Sequence, residues 1–546
     1  MSLLARARDH LIFPPIRRAI NQEIRQMAKA VDLEVSRRDK AAPKAGKKQT
    51  IISFNASTRI VGVSLNAAFA MLTGWSLRLQ GTRVINFVCQ RGMPRCVLGT
   101  NQNDVYQYPP CHKCLLQSAA IYDRSPVSKL DFFPGEELAK RLQNTDLASL
   151  RHLRYDDFPL GDLCMPSMRW ILRRHHLEDD EPTRVLYRYF ILSAYKVAMQ
   201  FEWLVIKESP LAVMVFNGMM FPEATARWVA RQQGIPVYSH EVGMRPFSAF
   251  FTAGDATAYP VDIPDDFQLT PRQDQQLDDY LSKRFKGDFS MAGIQFWPEM
   301  RSLDGEWVEK IQAFRQVVPI FTNVIFDTSQ PHANVVFSDM FTWLDKVLKV
   351  IKTHPETLFV IRAHPDESRP GKASQESVAG WVQARGVEEL PNVVFINPDE
   401  YFSSYEMIQR AKFVMMYNST IGMEASILGA PVLCAGKARF TQLETVFFPK
   451  SQREYMETLE KFLGADDVQA PPEHRANARR FLYYQLYRTS LPFDAYIKPD
   501  EVSPGFVRLQ DFSWQDLLPE NSDTMRVISD GLLKAEEFIL PSRTTL

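Results

Sequence analysis

The sequence predicts an α/β protein with two Rossmann-like domains, and three observations lead to that prediction. Short apolar runs of strand length alternate with helical patterns from about residue 50, and a second series of this kind starts near residue 317. Sequential alternation is typical of parallel sheets with helices on both faces. The chain of 546 residues, 45% of them apolar, is long enough to bury more than one core. No G-x-G-x-x-G fingerprint occurs, so we expect no dinucleotide cofactor.

Residues 1–49 are predicted to form a basic N-terminal helix and linker. The first 48 residues contain 12 Lys and Arg against 5 Asp and Glu, although the whole chain has a formal net charge of +0. The neutral total gives no argument for nucleic acid as a partner. The basic segment suits either peripheral contact with anionic lipid or a solvated helix. Because we find neither a membrane-length apolar run nor a signal peptide, we expect a cytoplasmic protein, with the inner face of the membrane as an alternative position.

Residues 50–300 are predicted to form the first domain, with a helical insertion. One strand–helix–strand unit spans residues 51–89 and another spans residues 213–238. His240, Glu241 and Arg245 follow the last strand of the second unit. Because ligands bind outside the carboxyl ends of strands in open α/β sheets, these three are candidates for acid–base or carboxylate chemistry. The alternative is a polar loop with a local ion pair between the glutamate and the arginine.

Three thiols in the first domain raise the question of a metal. Cys111 and Cys114 form a C-x-x-C pair around His112, and Cys96 precedes them. Thiolates and imidazoles are zinc ligands, but the sequence has no second C-x-x-C pair and the separation from Cys96 is not a recognised ligand spacing. We therefore predict a structural pair in a proline-rich loop, and no metal.

Residues 301–480 are predicted to form the second domain, in which several strands end in polar residues. The predicted site residues there are, in chain order, Asn323, Asp327, Arg362, His364, Asn418, Ser419, Thr420, Gly422, Glu424 and Lys437. Because the carboxyl ends of parallel strands meet at one edge of a sheet, we expect these residues to share one crevice. Basic side chains beside a helix N-terminus suit a diphosphate or a nucleotide monophosphate.

The stretch Tyr417–Val432 is the most informative part of this domain. An apolar strand precedes it, and the side chains of Asn418–Thr420 are of the kind that cap a helix start. Glu424 lies one turn into the predicted helix, where an acidic residue can accept hydrogen bonds from a ribose. Gly429 is expected to end the helix. The alternative is an ordinary capped crossover with a partly exposed glutamate.

Residues 481–546 are predicted to form a C-terminal helical crossover and a tail. The helical segment after Pro472 is rich in arginine and aromatic residues. After two Rossmann-like domains such a helix commonly crosses back, so we expect it to pack against the first domain.

Three motifs resemble those of bacterial capsule polysaccharide biosynthesis proteins, which are glycosyltransferases of the GT-B fold. The run EVGMRP from Glu241 is one residue shorter than the E-x-G-x-x-R-P segment of that family's first domain. The run RAHP from Arg362 matches its basic-x-His-Pro element. The run STIGMEA from Ser419, followed by GAPV from Gly429, matches its third element. The resemblance covers roughly residues 210–450.

The resemblance implies two Rossmann-like domains that face a central cleft. It also implies transfer of a sugar from a nucleotide-activated donor to a growing surface or capsular glycan, either free or lipid-linked. In this interpretation Arg362, His364 and the helix start at Ser419 and Thr420 stabilise the negative charge of the leaving phosphate.

Further roles follow from the same resemblance. Glu424 would hold the ribose, and Asn323 would contact the base or the sugar. Glu241, or His240 beside it, would deprotonate the acceptor or stabilise the cation-like sugar, in a first domain that binds the acceptor. We expect no metal cofactor, because the sequence has no D-x-D motif and cationic side chains can replace the ion.

Three rival functions remain open at this point. A sugar-nucleotide epimerase uses the same two-domain scaffold, and a related enzyme transfers a polyol phosphate from a CDP-activated donor. The third rival is a non-catalytic scaffold of a polysaccharide export complex. The sequence leaves the sugar, the base and the choice between retention and inversion undetermined, because one fold hosts several chemistries.

Overall fold

The fold is known from a computed structural model that describes residues 14–41, 48–56, 60–131, 135–286, 300–501, 503 and 505–542. The elements of the first half are α1 (Pro15–Ala41), β1 (Thr50–Phe54), β2 (Val63–Ser64), α2 (Leu65–Leu79), β3 (Arg83–Cys89), α3 (Cys111–Ile121), β4 (Val127–Leu130), α4 (Glu136–Leu142), α5 (Leu147–Arg151), α6 (Leu160–Leu172), α7 (Glu181–Glu208), β5 (Ala212–Phe216), α8 (Phe221–Gln232), β6 (Val237–Val242) and β7 (Ser248–Thr252). Helices α9 (Pro271–Phe285) and α10 (Gly305–Gln312) lead to the second half.

The second half repeats the alternation and then returns to the first. Its elements are β8 (Gln316–Phe321), α11 (Gln330–Ala333), α12 (Met340–Ile351), β9 (Thr357–Arg362), α13 (Val378–Ala384), β10 (Val393–Ile396), α14 (Ser404–Arg410), β11 (Val414–Met416), α15 (Ile421–Ile427), β12 (Val432–Cys434), α16 (Gln452–Gly464) and α17 (Pro472–Tyr487). The C-terminal elements are β13 (Leu491–Pro492), β14 (Ile497–Pro499), β15 (Phe506–Leu509) and α18 (Asp523–Lys534).

The two sheets confirm the predicted fold class. The first has the strand order β13-β7-β6-β5-β1-β3-β4. Its strands from β6 to β4 run parallel to one another, β7 runs antiparallel to β6, and β13 runs antiparallel to β7. The second has the order β10-β9-β8-β11-β12, and every described pairing in it is parallel. Buried apolar strands with helices on their faces are the expected form of such sheets.

The chain returns to the first domain after α17, as predicted. Helix α17 packs against α15 and α9, and β13 then pairs with β7 at the edge of the first sheet. Beyond this crossover β15 pairs with β2, and α18 packs against α2. The predicted tail is therefore part of the first domain.

Helix α1 contradicts the expectation of a helix that lies on lipid or in solvent. Its apolar side, which includes Ile20, Ile24 and Val31, is buried in the core of the first domain. Arg17 forms a buried ion pair of 2.7 Å with Asp500 near the other end of the chain. The apolar face is thus covered by protein, while residues 1–13 and 42–47 lie outside the described part. None of the described helices has the length and apolar character that a membrane crossing requires.

Candidate functional site

A pocket opens at the carboxyl edge of the second sheet, where β8, β9 and β11 end. Its lining residues are Arg284, Met300, Phe321, Thr322, Arg362, Ala363, His364, Pro365, Ser404, Tyr405, Ser419, Thr420, Ile421 and Glu424. The structure therefore brings five of the predicted residues into one cavity: Arg362, His364, Ser419, Thr420 and Glu424. The parallel register of the sheet explains this, since β9 and β11 flank β8 and end at the same edge.

Arg362 is the buried cation of this pocket. Its side chain is the last of β9 and only 4% exposed. The guanidinium donates a hydrogen bond to the carbonyl of Phe402 and lies 3.9 Å from the sulfur of Met300. No described carboxylate lies within ion-pair distance of it, and burial lowers its pKa to about 10. A buried guanidinium without a carboxylate is costly, which favours an anionic ligand beside it.

His364 presents a neutral imidazole to the same cavity. Its Nδ1 accepts a hydrogen bond of 3.2 Å from the backbone N–H of Asp366. Burial lowers the pKa of the ring, and the nearby Arg362 lowers it further, although Asp366 and Asp327 oppose the shift. A neutral imidazole that accepts at Nδ1 carries its proton at Nε2, so His364 is a hydrogen-bond donor at that atom.

The helix start beside these side chains differs from its prediction. Helix α15 begins at Ile421, and the N-cap Thr420 makes no side-chain hydrogen bond to the helix. The reason is its helical backbone (φ −62°, ψ −18°), whereas a capping side chain needs an extended one. Gly422 packs on Met416, whose Sδ lies 3.0 Å from the position of an added Cβ. Gly429 follows the helix with φ +91°, as expected for a glycine that ends one.

Glu424 lies in the pocket wall and is already paired. It is 2% exposed, and Arg284 of α9 donates to its Oε1 at 2.6 Å. Tyr405 donates its hydroxyl proton to Oε2 at 2.7 Å. A carboxylate keeps acceptor positions beyond these bonds, so the predicted ribose contact stays a prediction. The sequence does not indicate that Arg284 or Tyr405 contacts Glu424, since both belong to other helices that are brought to it by the fold.

The remaining predicted residues of the second domain lie beside the cavity. Asn323 donates a hydrogen bond of 2.7 Å to Asn418, which ties the ends of β8 and β11 together. Asp327 accepts from the hydroxyl of Ser329 at 2.6 Å. The side chain of Lys437 is exposed, and its residue is anchored through the backbone, whose N–H donates to the carbonyl of Ala333. Side chains at the end of a strand point in several directions, and only some of these directions lead into the pocket.

Glu241 of the first domain faces the second domain across the cleft. Asn217 donates to its Oε2 at 2.8 Å. Burial raises the pKa of the carboxyl, Asp327 raises it as well, and Arg439 lowers it. Both charged neighbours belong to the second domain, so the carboxyl lies within electrostatic reach of it.

The predictions for His240 and Arg245 are corrected by the structure. The predicted strand 235–238 extends to Val242, so His240 pairs in register with Phe251 and lies 1% exposed against that ring. Burial lowers its pKa to about 3. It is a core residue, because successive side chains of a strand point to opposite faces and only Glu241 points to the cleft. Arg245 is exposed and lies over the ring of Tyr487, with no described ion pair to Glu241.

Two residues that the sequence did not single out lie near Glu241, one from each domain. Arg439 lies 3.9 Å from the ring centroid of Tyr259, a cation–π distance. The Tyr259 hydroxyl donates to the carbonyl of Val242 at 2.7 Å. Burial and the nearby Glu241 raise the pKa of this tyrosine. Both residues belong to connecting segments without a motif, so only the packing of the domains identifies them.

A second contact between the domains surrounds His176. Its Nδ1 lies 2.6 Å from Glu376 and its Nε2 lies 3.7 Å from Asp339. These two carboxylates raise the pKa of His176 to about 10. The same histidine lowers the pKa of both Asp339 and Glu376 against the opposing effect of burial. His175 and His176 follow α6, and both contact Glu376 of the second domain.

Comparison with known proteins agrees with the motifs. Residues 311–443 match the model of a family described as capsule polysaccharide biosynthesis protein. The matched range contains Arg362, His364 and the start of α15, and it confirms the resemblance there. The chain is 34% identical to Protein FixF of Sinorhizobium fredii over 241 residues. The aligned region covers 43% of this chain and 50% of that protein. The chain thus spans about half the length of that curated relative.

Solved structures resemble the chain at low identity. Thermosulfurimonas dismutans KpsC, beta Kdo 2,4 transferase, has a TM-score of 0.35 and 14% identity, over 52% of this chain and 81% of that chain. UDP-GlcNAc 2-epimerase from Neisseria meningitidis, bound to UDP-GlcNAc, has a TM-score of 0.24 and 13% identity, over 81% of this chain and 99% of that chain.

Proposed function

We propose that this protein is a glycosyltransferase that moves a sugar from a nucleotide-activated donor to a growing surface or capsular glycan. One observation carries the proposal: the buried Arg362, which forms no described ion pair, and His364 share a pocket at the carboxyl edge of the second sheet. A carboxyl with a raised pKa, Glu241, lies within electrostatic reach of the second domain from the other side of the cleft. An anion site opposite an acid–base group suits group transfer away from a phosphate.

The donor phosphates are assigned to Arg362 and His364. A guanidinium offers two parallel N–H donors to phosphate oxygens, and its burial strengthens that interaction. His364 adds a neutral donor at Nε2, and the hydroxyls of Ser419 and Thr420 line the same cavity. When the sugar–phosphate bond breaks, the leaving phosphate gains negative charge. Donors fixed around that charge are worth roughly 3 kcal/mol each.

The nucleoside is assigned to the wall formed by Glu424 and the neighbouring polar residues. Glu424 would accept from a ribose hydroxyl while it keeps its bonds to Arg284 and Tyr405. Asn323 and Asn418 lie at the adjacent strand ends and would contact the base or the sugar. We expect no metal in this step, because the leaving phosphate meets cationic and neutral donors of the chain itself.

The acceptor is assigned to the first domain. Glu241 has a raised pKa, so its carboxylate is a stronger base than an ordinary glutamate. It would take the proton of an acceptor hydroxyl, or attack the sugar itself, in which case the anomeric configuration is retained. Arg439 would hold the carboxylate in position or contact the acceptor.

A thermal-shift screen of UDP, GDP, CMP, CDP and dTDP sugars tests the donor site. A ligand at about a hundred times its dissociation constant adds roughly 2.7 kcal/mol to the free energy of unfolding. We expect one nucleotide class to stabilise the wild type and to lose its effect in Arg362→Met. The matched control is Arg315→Gln, an exposed arginine at the opposite end of β8. No stabilisation by any of the nucleotides would overturn the donor assignment.

Incubation of the stabilising nucleotide sugar without an acceptor then separates the rival functions. A transferase releases nucleotide slowly and leaves the unreacted sugar unchanged. An epimerase interconverts two sugars, which product NMR detects directly. Release of a polyol phosphate from a CDP-activated donor would identify a polyol-phosphate transferase.

A further inference from the structure

Four of the six cysteines line one small cavity in the first domain. Cys89 ends β3, Cys96 lies in the loop that follows, and Cys111 and Cys114 lie in the first turn of α3. Their spacing is C-x6-C-x14-C-x2-C, and no disulfide joins any of them. The sequence identified three of these thiols, whereas Cys89 belongs to an apolar strand and joins them only in the fold. The cavity also contains Ala56 beyond the end of β1, so it lies at the carboxyl edge of the first sheet.

The four thiols are buried close enough together to influence one another. Burial raises the pKa of Cys89, Cys96 and Cys114, and the neighbouring cysteines raise it further. A thiolate in this cluster is therefore costly without a positive charge beside it. A divalent cation would supply that charge, because thiolates are its ligands.

Two glycines allow the loops to approach so closely. A Cβ on Gly92 would lie 2.5 Å from Cγ of Leu130. A Cβ on Gly99 would lie 2.7 Å from Cβ of Pro109 and 3.0 Å from the sulfur of Cys96. A larger residue at Gly92 would clash with the end of β4, and one at Gly99 would clash with Pro109 just before α3. Both glycines therefore allow the close packing around the four thiols.

The chemistry of the cavity indicates the ligand. Its described lining offers four cysteine sulfurs and neither a carboxylate nor an imidazole. Four soft sulfur ligands select zinc among the common divalent ions, in tetrahedral geometry. Such a centre carries two net negative charges, and the side chain of Arg91 lines the cavity.

We propose that Cys89, Cys96, Cys111 and Cys114 bind one zinc ion as four thiolates. On binding, the four thiols release their protons to solvent and four Zn–S bonds form, without any change of oxidation state. No three of the four described sulfurs lie within 4.8 Å of one another, so the side chains turn about their Cα–Cβ bonds to reach the ion. The ion would fix the loop 90–110 and the start of α3 at the edge of the sheet that also bears Glu241.

Metal analysis of the purified full chain tests the proposal directly. We expect about one zinc per chain, and cobalt in its place should give the visible bands of a tetrahedral tetrathiolate. Iron together with acid-labile sulfide would indicate an iron–sulfur cluster and overturn the proposal. A metal-free protein in which all four thiols react with a thiol reagent would also overturn it. These measurements use the wild type, so they do not depend on the folding of a variant.

Paired variants locate the ion. Cys89→Ser and Cys114→Ser should each lose the zinc, and Cys434→Ala, a buried cysteine of the second domain, should keep it. The cluster of His175, His176 and Asp339, whose ligand atoms lie within 4.8 Å of one another, is the competing site. Zinc that disappears in His176→Ala but persists in Cys89→Ser would overturn the assignment. Zinc that persists in every variant would be an adventitious ion only.

Discussion

The two domains build their parts of the cleft in different ways. The second domain brings Arg362, His364 and Ser419 together from the ends of its own strands. In the first domain only Glu241 of the three predicted residues faces the cleft, and the charges that shift its pKa belong to the second domain. A site made by the strand ends of one parallel sheet follows from the alternation of strands and helices, which sequence periodicity predicts. A site made between domains depends on how they pack.

The largest effect is expected for Glu241→Gln, which tests the first-domain side. Loss of a general base costs roughly 10²–10⁴-fold in transfer rate, while donor binding in the second domain should persist. A raised pKa means that the ionised carboxylate destabilises the folded state relative to the unfolded state at neutral pH. Because the amide of the variant carries no charge, the variant should unfold at the same or a higher temperature at that pH. Rate assays, nucleotide titration and thermal melts measure the three quantities.

The pH profile sharpens this prediction. If Glu241 acts as a base, the wild-type rate should fall as the pH drops through the raised pKa of that carboxyl. The exposed Glu137 offers a control, and Glu137→Gln should keep the wild-type profile. A Glu241→Gln variant with full activity would end the acid–base assignment of this residue.

Arg362→Met tests the second-domain side. Removal of a donor to the developing phosphate charge should lower the transfer rate by about 10²–10³-fold and abolish stabilisation by nucleotide. Because no described carboxylate pairs with this arginine, its replacement by an apolar chain should leave the melting temperature unchanged or higher. Loss of activity together with a large fall in melting temperature would instead mean that Arg362 is structural.

His176→Ala tests the contact that joins the two domains. His176 has a pKa raised from 6.5 to about 10, so its contribution to stability is fully present below pH 6.5 and is lost as the pH rises through 10. Asp339 and Glu376 on the second domain favour its charge, and burial opposes it. The difference in melting temperature between wild type and variant should therefore shrink from pH 6.5 to pH 10. A difference that is the same at both values would exclude the charged histidine as its source.

Lys437→Ala should have the smallest effect. The sequence predicts this lysine in the phosphate crevice, whereas the structure shows it exposed and outside the lining. An exposed substitution changes free energies by about 0.5 kcal/mol or less, so donor affinity should stay within about twofold of wild type. A tenfold loss of affinity would restore Lys437 to the site and require a different closed arrangement of the cleft.

The errors of the sequence predictions have identifiable physical causes. His240 looked like a loop residue because the apolar run ends before it, but the hydrogen-bonded ladder with β7 extends the strand and buries its ring. Thr420 looked like a capping residue, but its backbone is already helical. The basic helix α1 looked solvated, but Val31 and its neighbours are covered by the C-terminal segments. In each case a tertiary contact outweighs a local preference.

The sequence by itself determined the two domains built on mainly parallel strands, the return of the chain after α17 and the set of residues at the strand ends. Those properties follow from the periodicity of apolar residues and the alternation of strands and helices, which are local patterns. Only the tertiary structure decided that Glu241 has Arg439 as a neighbour, that Glu424 has Arg284, and that Cys89 joins three other thiols. Such pairs are distant in the chain, and long-range packing, rather than any local pattern, brings them within reach.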